Sequence, residues 1–277
     1  MKTMSNPKGV VLVTGASSGF GLVTAEHLVA RGYTVFGTSR RAAFPDQVST
    51  DRVNMIPMDV TDGASIDGAL EFLSKNAGRL DVLINNAGYG IAGAIEETSE
   101  EEAFSQFDVN FFGVHRVTRR VLPRMREAQK GIIINIGSIA GQIGLPFQSF
   151  YSAAKFAIEG YTEALRNELH PFGIRVYLIV PGNFKTAFTA NRAIAKEARN
   201  SDVYGEVFER CLSVIVGDEE KGADPSHIAS TVEKIITRKP RRFRYVVGLL
   251  YEKALLLVKR LIPYHWGEGV LRMFYKL

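Results

Sequence analysis

Cysteine is almost absent. Cys211 stands alone among 277 residues, so no intrachain disulfide can form, and a reducing compartment, the cytoplasm, is expected. No His or Asp pattern accompanies that thiol, which reads as a small buried side chain rather than a nucleophile. Long hydrophobic runs are missing near the start. The first, residues 10–14, is too short for a signal-peptide core or a membrane span. Histidine is scarce as well, and His115, His170 and His227 share no ligand spacing, so no metal centre is expected. No repeat or low-complexity tract occurs, and a composition of 46% hydrophobic and 23% charged residues argues against disorder.

Positive charge exceeds negative by five. The basic residues are spread along the chain, with local concentrations at residues 116–126 and 239–244, so a phosphate-bearing small molecule explains them more economically than nucleic acid does. The length suits one α/β domain spanning residues 1–277, with a core over 8–186 and a lid and C-terminal extension over 187–277.

The β-branched run Val10, Val11, Leu12, Val13 suits a buried parallel strand and leads into Thr14-Gly15-Ala16-Ser17-Ser18-Gly19-Phe20-Gly21. A helical pattern through Leu22, Ala25, Leu28 and Val29 follows and ends at Gly32. Strand, glycine loop and helix in that order give the setting in which closely spaced glycines bind a dinucleotide. The backbone approaches the pyrophosphate, and the positive end of the helix supports it. The second strand, residues 33–39, ends where an acid would read a ribose 2′-hydroxyl and repel a 2′-phosphate. Here Ser39, Arg40 and Arg41 stand instead, with a hydroxyl to donate and a planar fork to grip phosphate, so NADP(H) is the expected cofactor.

Further strands are expected at residues 53–58, 80–84, 131–137, 173–180 and 244–247, alternating with helices. Long crossovers between strands imply a doubly wound parallel sheet of order 3-2-1-4-5-6-7. Ser99 followed by three glutamates is a helix start, and the helix it opens should be perturbed at Pro123. Asp224-Pro225 starts another helix.

Tyr151 and Lys155 are spaced i, i+4 on a helix over residues 149–170 and so project from one face. A phenol ordinarily titrates near about 10; an adjacent ammonium would bring it toward working pH, as proton transfer requires. Ser138 closes the strand 131–137 and can meet Tyr151 at the carboxyl edge of the sheet.

Together these stretches resemble the classical short-chain dehydrogenase/reductase family over residues 8–185: T-G-x-x-x-G-x-G at Thr14–Gly21, N-N-A-G at 85–88, and Y-x-x-x-K at Tyr151–Lys155. The resemblance implies a Rossmann fold with hydride transfer between NADP(H) and a carbonyl or alcohol carbon. It makes Asn110, Ser138, Tyr151 and Lys155 the catalytic group, with Asn110 helping to hold a water near the lysine. It adds Asp59 and Val60 as adenine contacts and makes Asn86, Ala87 and Gly88 a cofactor border that also props the sheet. Pro181, Gly182, Phe184 and Thr186 would cup the nicotinamide carboxamide, and Lys155 would bind the nicotinamide ribose. Within the family the chain looks most like the 17β-hydroxysteroid and retinol dehydrogenase branch. That implies a lipophilic ketone or secondary alcohol, a homodimer or homotetramer, and a pocket including Leu145, Phe147 and Phe150.

Beyond residue 186 the pattern loosens. Residues 188–216 suit a helical lid. The apolar stretch 249–262, punctuated by Lys253, Lys259 and Arg260, fits a pocket cover, a subunit contact or a peripheral membrane contact, but is too short to span a bilayer. The competing class is a cofactor-binding interaction protein whose catalysis is dispensable, against which the intact Asn-Ser-Tyr-Lys set argues.

Overall fold

The computed structural model describes residues 8–259 and 261–277. Seven strands form one parallel sheet: β1 Val10–Val13, β2 Thr34–Ser39, β3 Asn54–Pro57, β4 Val82–Asn85, β6 Gly131–Ile136, β7 Ile174–Pro181 and β9 Arg244–Val247. Their spatial order is β3-β2-β1-β4-β6-β7-β9, which is the expected 3-2-1-4-5-6-7 once a short extra pair, β5 Ile91–Ala92 and β8 Ala193–Ile194, is set aside. The central strands are apolar along their whole length because both faces are covered. Val11 and Val13 of β1 point into a core closed by Leu28 of α1 (Gly19–Ala30) and Ile228 and Val232 of α7 (Ser226–Arg238). Val10 and Leu12 point the other way, as the two-residue strand period requires. There they meet Ile66 and Leu70 of α2 (Gly63–Ala77), Val117 and Val121 of α4 (Gly113–Glu127), and Leu165 of α5 (Ser149–Leu169).

The helix opened by Ser99 has the reciprocal cap that its sequence promises: α3 (Glu100–Phe107) begins with the Ser99 hydroxyl on the Glu102 amide and the Glu102 carboxylate on the Ser99 amide. It then widens into a π-helical turn over Asp108–Phe112 before continuing as α4. Pro123 does not end the helix, which runs through it to Glu127. The proline and the residue four before it are exposed, so water can take the carbonyl that the missing N–H leaves free.

The lid is only partly helical. After Thr186 the chain adds β8 to β5 in parallel, makes a short 3-10 turn at Glu197–Asn200, and becomes helical only in α6 (Gly205–Glu220). The apolar C-terminal stretch forms α8 (Leu250–Lys259) and is followed by α9 (Tyr264–Tyr275). Tyr275 of α9 packs with Cys211 and Ile215 of α6, and Leu145 and Phe147 of the loop before α5 lie against this group. The C-terminal segment therefore covers the lid. No helix among the described residues is long and apolar enough to cross a membrane.

Candidate active site

The carboxyl ends of β1, β2, β4, β6 and β7 share one edge of the sheet, where the topology reverses between β1 and β4 and a crevice opens. The glycine loop and the 85–88 loop are latched across it. The Thr14 hydroxyl accepts from the Asn86 and Ala87 amides at 2.9 and 3.0 Å, and the Asn86 carboxamide donates to the carbonyls of Thr14 and Gly15 at 2.9 and 3.0 Å. Gly15 sits at φ +64°, and a Cβ there would stand 2.8 Å from the Ala87 Cα; one on Gly21 would stand 2.3 Å from the Gly15 carbonyl oxygen. Only glycine allows that closeness. Behind the latch Asn85 donates to Asn135 at 2.8 Å and to Thr118 at 3.0 Å inside the sheet, which supports the crevice from below.

The loop suits a pyrophosphate. Ser18 is the N-cap of α1, yet its side chain makes no cap hydrogen bond, so the first N–H groups of the helix are left for an anion. Ser17 and Ser18 are exposed. Ser39 accepts from the Arg41 amide at 3.2 Å and so shapes the turn that carries Arg40 and Arg41, both exposed at the end of β2. The Asp59 carboxylate is held locally by the Thr61 amide and hydroxyl at 2.9 and 2.7 Å. Val60 is buried beneath it against Gly113. On the far side Gly19 approaches Thr186. Phe20 and Phe184 pack edge to face at 5.0 Å, with Phe184 buried, so these two rings join the walls of the crevice to each other.

Ser138, Tyr151 and Lys155 meet at the end of β6. The Ser138 hydroxyl accepts from the Ala140 amide at 3.1 Å, and it is the side chain that most favours ionisation of the Tyr151 phenol. Lys155 Nζ donates to the Ile136 carbonyl at 2.9 Å and lies 5.8 Å from the Tyr151 ring centroid. The expected electrostatics are corrected here. Burial pushes the Tyr151 phenol up to about 12, and the group that pulls it back most is the Ser138 hydroxyl, followed by the charge of Arg192, while Glu219 pushes it further up. Burial also lowers Lys155 to about 8. With the ammonium turned to a main-chain carbonyl in a dry site, desolvation outweighs the lysine charge in the unliganded protein.

Asn110 is placed by the π-helical turn and is fully buried. Its carboxamide accepts from the Tyr89 amide at 3.1 Å and donates to the Tyr89 carbonyl at 2.8 Å. The side chain therefore holds the loop after Gly88 and is already engaged at both ends.

Leu145 and Phe147 line the underside of the lid rather than standing free. Phe147, in the left-handed region at φ +56°, sets its ring 5.4 Å from Phe208 and 6.3 Å from Tyr204. Phe150 is half-buried at the start of α5. Cys211 is fully buried, and burial raises its thiol to about 11, as an inert thiol requires.

The short chain dehydrogenase family matches residues 9–197. The chain belongs to that family. It is 45% identical to the 3-ketodihydrosphingosine reductase of Bacteroides thetaiotaomicron over 97% of this chain and 98% of that protein. Among solved structures, a short-chain dehydrogenase from Streptomyces avermitilis superposes with a TM-score of 0.79 at 35% identity, covering 98% of this chain and 97% of its own. The 3-ketoacyl-(acyl-carrier-protein) reductase of Brucella melitensis, solved with NADH, gives 0.71 at 26% identity over 88% and 98%. The family is one of oxidoreductases, and the Brucella relative was solved with a nicotinamide cofactor.

Three parts of this short-chain dehydrogenase's site escaped the sequence reading. Phe188 lies over Tyr151, with ring centroids 5.6 Å apart. Arg192 and Glu219 form a buried ion pair behind it. Glu252, on α8, is 2% exposed and accepts from the Asn183 and Leu249 amides at 2.5 and 2.7 Å. Phe188 and Arg192 lie inside the stretch that the family matches, but no motif or local spacing marks them, and Glu219 and Glu252 lie beyond it.

Proposed function

We propose that the protein reduces the ketone of a long-chain, lipophilic substrate with NADP(H), and that Tyr151 delivers the proton. The observation that supports this reading is the grouping of Ser138, Tyr151 and Lys155 at the end of β6, with Lys155 Nζ 5.8 Å from the Tyr151 ring centroid and fixed on the Ile136 carbonyl. A phenol pushed up to about 12 is protonated at neutral pH, which suits a proton donor more than a base. Ser138 would hold the carbonyl oxygen while Tyr151 gives its proton to the alkoxide that forms. Lys155, by family resemblance, would hold the nicotinamide ribose, and Arg40, Arg41 and Ser39 the 2′-phosphate. The bound nicotinamide would supply the hydride. Gly15, Gly19 and Gly21 with the start of α1 would seat the pyrophosphate, Asp59 and Val60 the adenine, Asn86, Ala87 and Gly88 the ribose, and Pro181, Gly182, Phe184 and Thr186 the carboxamide end.

For the substrate, the relative at 45% identity favours a keto sphingoid base over the steroids and retinoids that the sequence suggests. The apolar underside of the lid, with Leu145, Phe147 and Phe208, supports a hydrocarbon chain. Phe150 is the further candidate contact. The test is NADPH and NADH consumption with 3-ketodihydrosphingosine beside steroid and short aromatic ketones. Turnover confined to steroids, or faster with NADH, would refute the reading.

A second reading concerns the outer face of the C-terminal helices. Leu257 on α8, Leu261 between the helices, and Trp266 and Met273 on α9 are each more than 60% exposed, with Lys253 and Arg272 on the same helices. We propose that this face rests on a lipid surface from which the substrate is drawn. Pelleting with anionic liposomes should be lost in Trp266→Glu, and an unchanged bound fraction would dismiss the contact.

A further inference from the structure

The reaction just described leaves one buried charged pair unused. Arg192 lies in the segment between Thr186 and β8, and its side chain is 2% exposed. Its Nη2 is paired with one carboxylate oxygen of Glu219 on α6, and the other oxygen accepts from the Thr189 hydroxyl at 2.6 Å. The guanidinium carbon lies 5.8 Å from the centroid of Phe188, the ring that covers Tyr151. Through Phe188 the pair therefore adjoins the reaction site, and its two charges act on the Tyr151 phenol in opposite directions.

Glu219 accounts for the charge of Arg192 but not for its donors. Nε and Nη1 are buried and have no hydrogen-bond partner among the described residues. A guanidinium cannot lose its proton in a protein, and buried donors left unpaired cost free energy comparable to a lost hydrogen bond. Arg192 thus has two donors to spare and lacks an acceptor oxygen.

We infer that Arg192, held in place by Glu219, is the residue that selects substrate, and that its free donors take a hydroxyl oxygen carried next to the ketone. A hydroxyl fits better than an acid. The Arg192 charge is already balanced, so a carboxylate or phosphate would bring an uncompensated negative charge beside Glu219, whereas a hydroxyl brings none and can donate in return. The substrate class that follows is a lipophilic β-hydroxy ketone, which deepens the proposed reading and rests on it: a keto sphingoid base carries its primary hydroxyl two carbons from the carbonyl.

The experiment uses the full chain with NADPH and two ketones of equal length, one with the β-hydroxyl and one without. Wild type should favour the hydroxylated ketone in kcat/KM by about 10- to 100-fold, the range of a hydrogen bond to a charged group at a site built for it. In Arg192→Met that ratio should collapse toward one. A ratio kept in the variant, or absent in wild type, overturns the inference. If Arg192→Met does not fold, Glu219→Gln decides: by uncovering the arginine charge it should shift preference toward the matching β-keto acid, and an unshifted preference overturns the inference equally. Should wild type reduce neither long-chain ketone, the proposed function fails. Arg192 is then judged by binding alone, since the NADP+-loaded enzyme should still bind the 1,3-diol more tightly than the mono-alcohol, and equal binding rejects it.

Discussion

The crevice and its cover are built by different means. Around the glycine loop the polar groups satisfy one another at short range: Thr14, Asn86, Ala87 and Gly15 form one latch, and Asn85, Asn135, Thr118 and Thr162 form a second inside the sheet. The loop is held in place by its own hydrogen bonds. The cover after Thr186 packs largely through apolar side chains, and a few distant polar tethers fix it. Glu252 holds the loop after β7, Lys259 reaches the Gln142 carbonyl, and Arg192 reaches Glu219. A latch satisfied by its own groups keeps its shape whatever packs above it, which suits a scaffold on which binding loops vary.

Tyr151→Phe has the largest expected effect. If the chemistry resides in the crevice, kcat should fall by about 10³-fold or more, within the range of lost general acid catalysis, with NADPH binding by fluorescence titration retained. Turnover above a tenth of wild type would mean that the proton comes from elsewhere. Arg40→Asp should next reverse the preference between NADPH and NADH, lowering the ratio of their kcat/KM values by about 10- to 100-fold through loss of a charge-assisted contact. An unchanged ratio would deny Arg40 its role.

The cover is tested by Glu252→Ala. A Cβ on Gly182 would stand 2.0 Å from the Glu252 carboxylate, so the fit there is close. Removing the carboxylate leaves the Asn183 and Leu249 amides unpaired and should lower unfolding stability by about 2 kcal/mol, read by chemical denaturation. No change would show that the C-terminal helices are not tethered through this group. The smallest effect concerns pH. Lys155 is lowered by burial from 10.5 to about 8, so its contribution to stability is fully present above 10.5 and is lost as pH falls through 8. Between pH 7 and 9 the unliganded wild type should therefore gain about 1 kcal/mol relative to Lys155→Met. A difference that stays flat over that window would place the ammonium in water rather than in the dry pocket.

Much of the crevice was legible because its residues are contiguous. Thr14–Gly21 is a strand end, a loop and a helix start in eight consecutive positions, and Tyr151 and Lys155 share a helix face through a fixed period. What the sequence misjudged was electrostatic. The i, i+4 spacing brings the lysine near the phenol, but the depth of burial decides whether the charge or the desolvation prevails, and here Lys155 turns to Ile136. The π-helical turn at Asn110 leaves no mark in the composition of its segment.

Hydrophobic period, glycine placement and helix caps act over a few residues. They therefore determined from the sequence alone that β1, the glycine loop and α1 would form and that seven parallel strands would follow in a given order, while the family was given by resemblance of the motifs. The partnership of Arg192 with Glu219, the clamp of Glu252 on the loop after β7, and the seat of α9 on α6 join residues separated by tens of positions. Only the tertiary structure could decide these, because a buried charge finds its counterpart through space and the sequence between them carries no period that reports it.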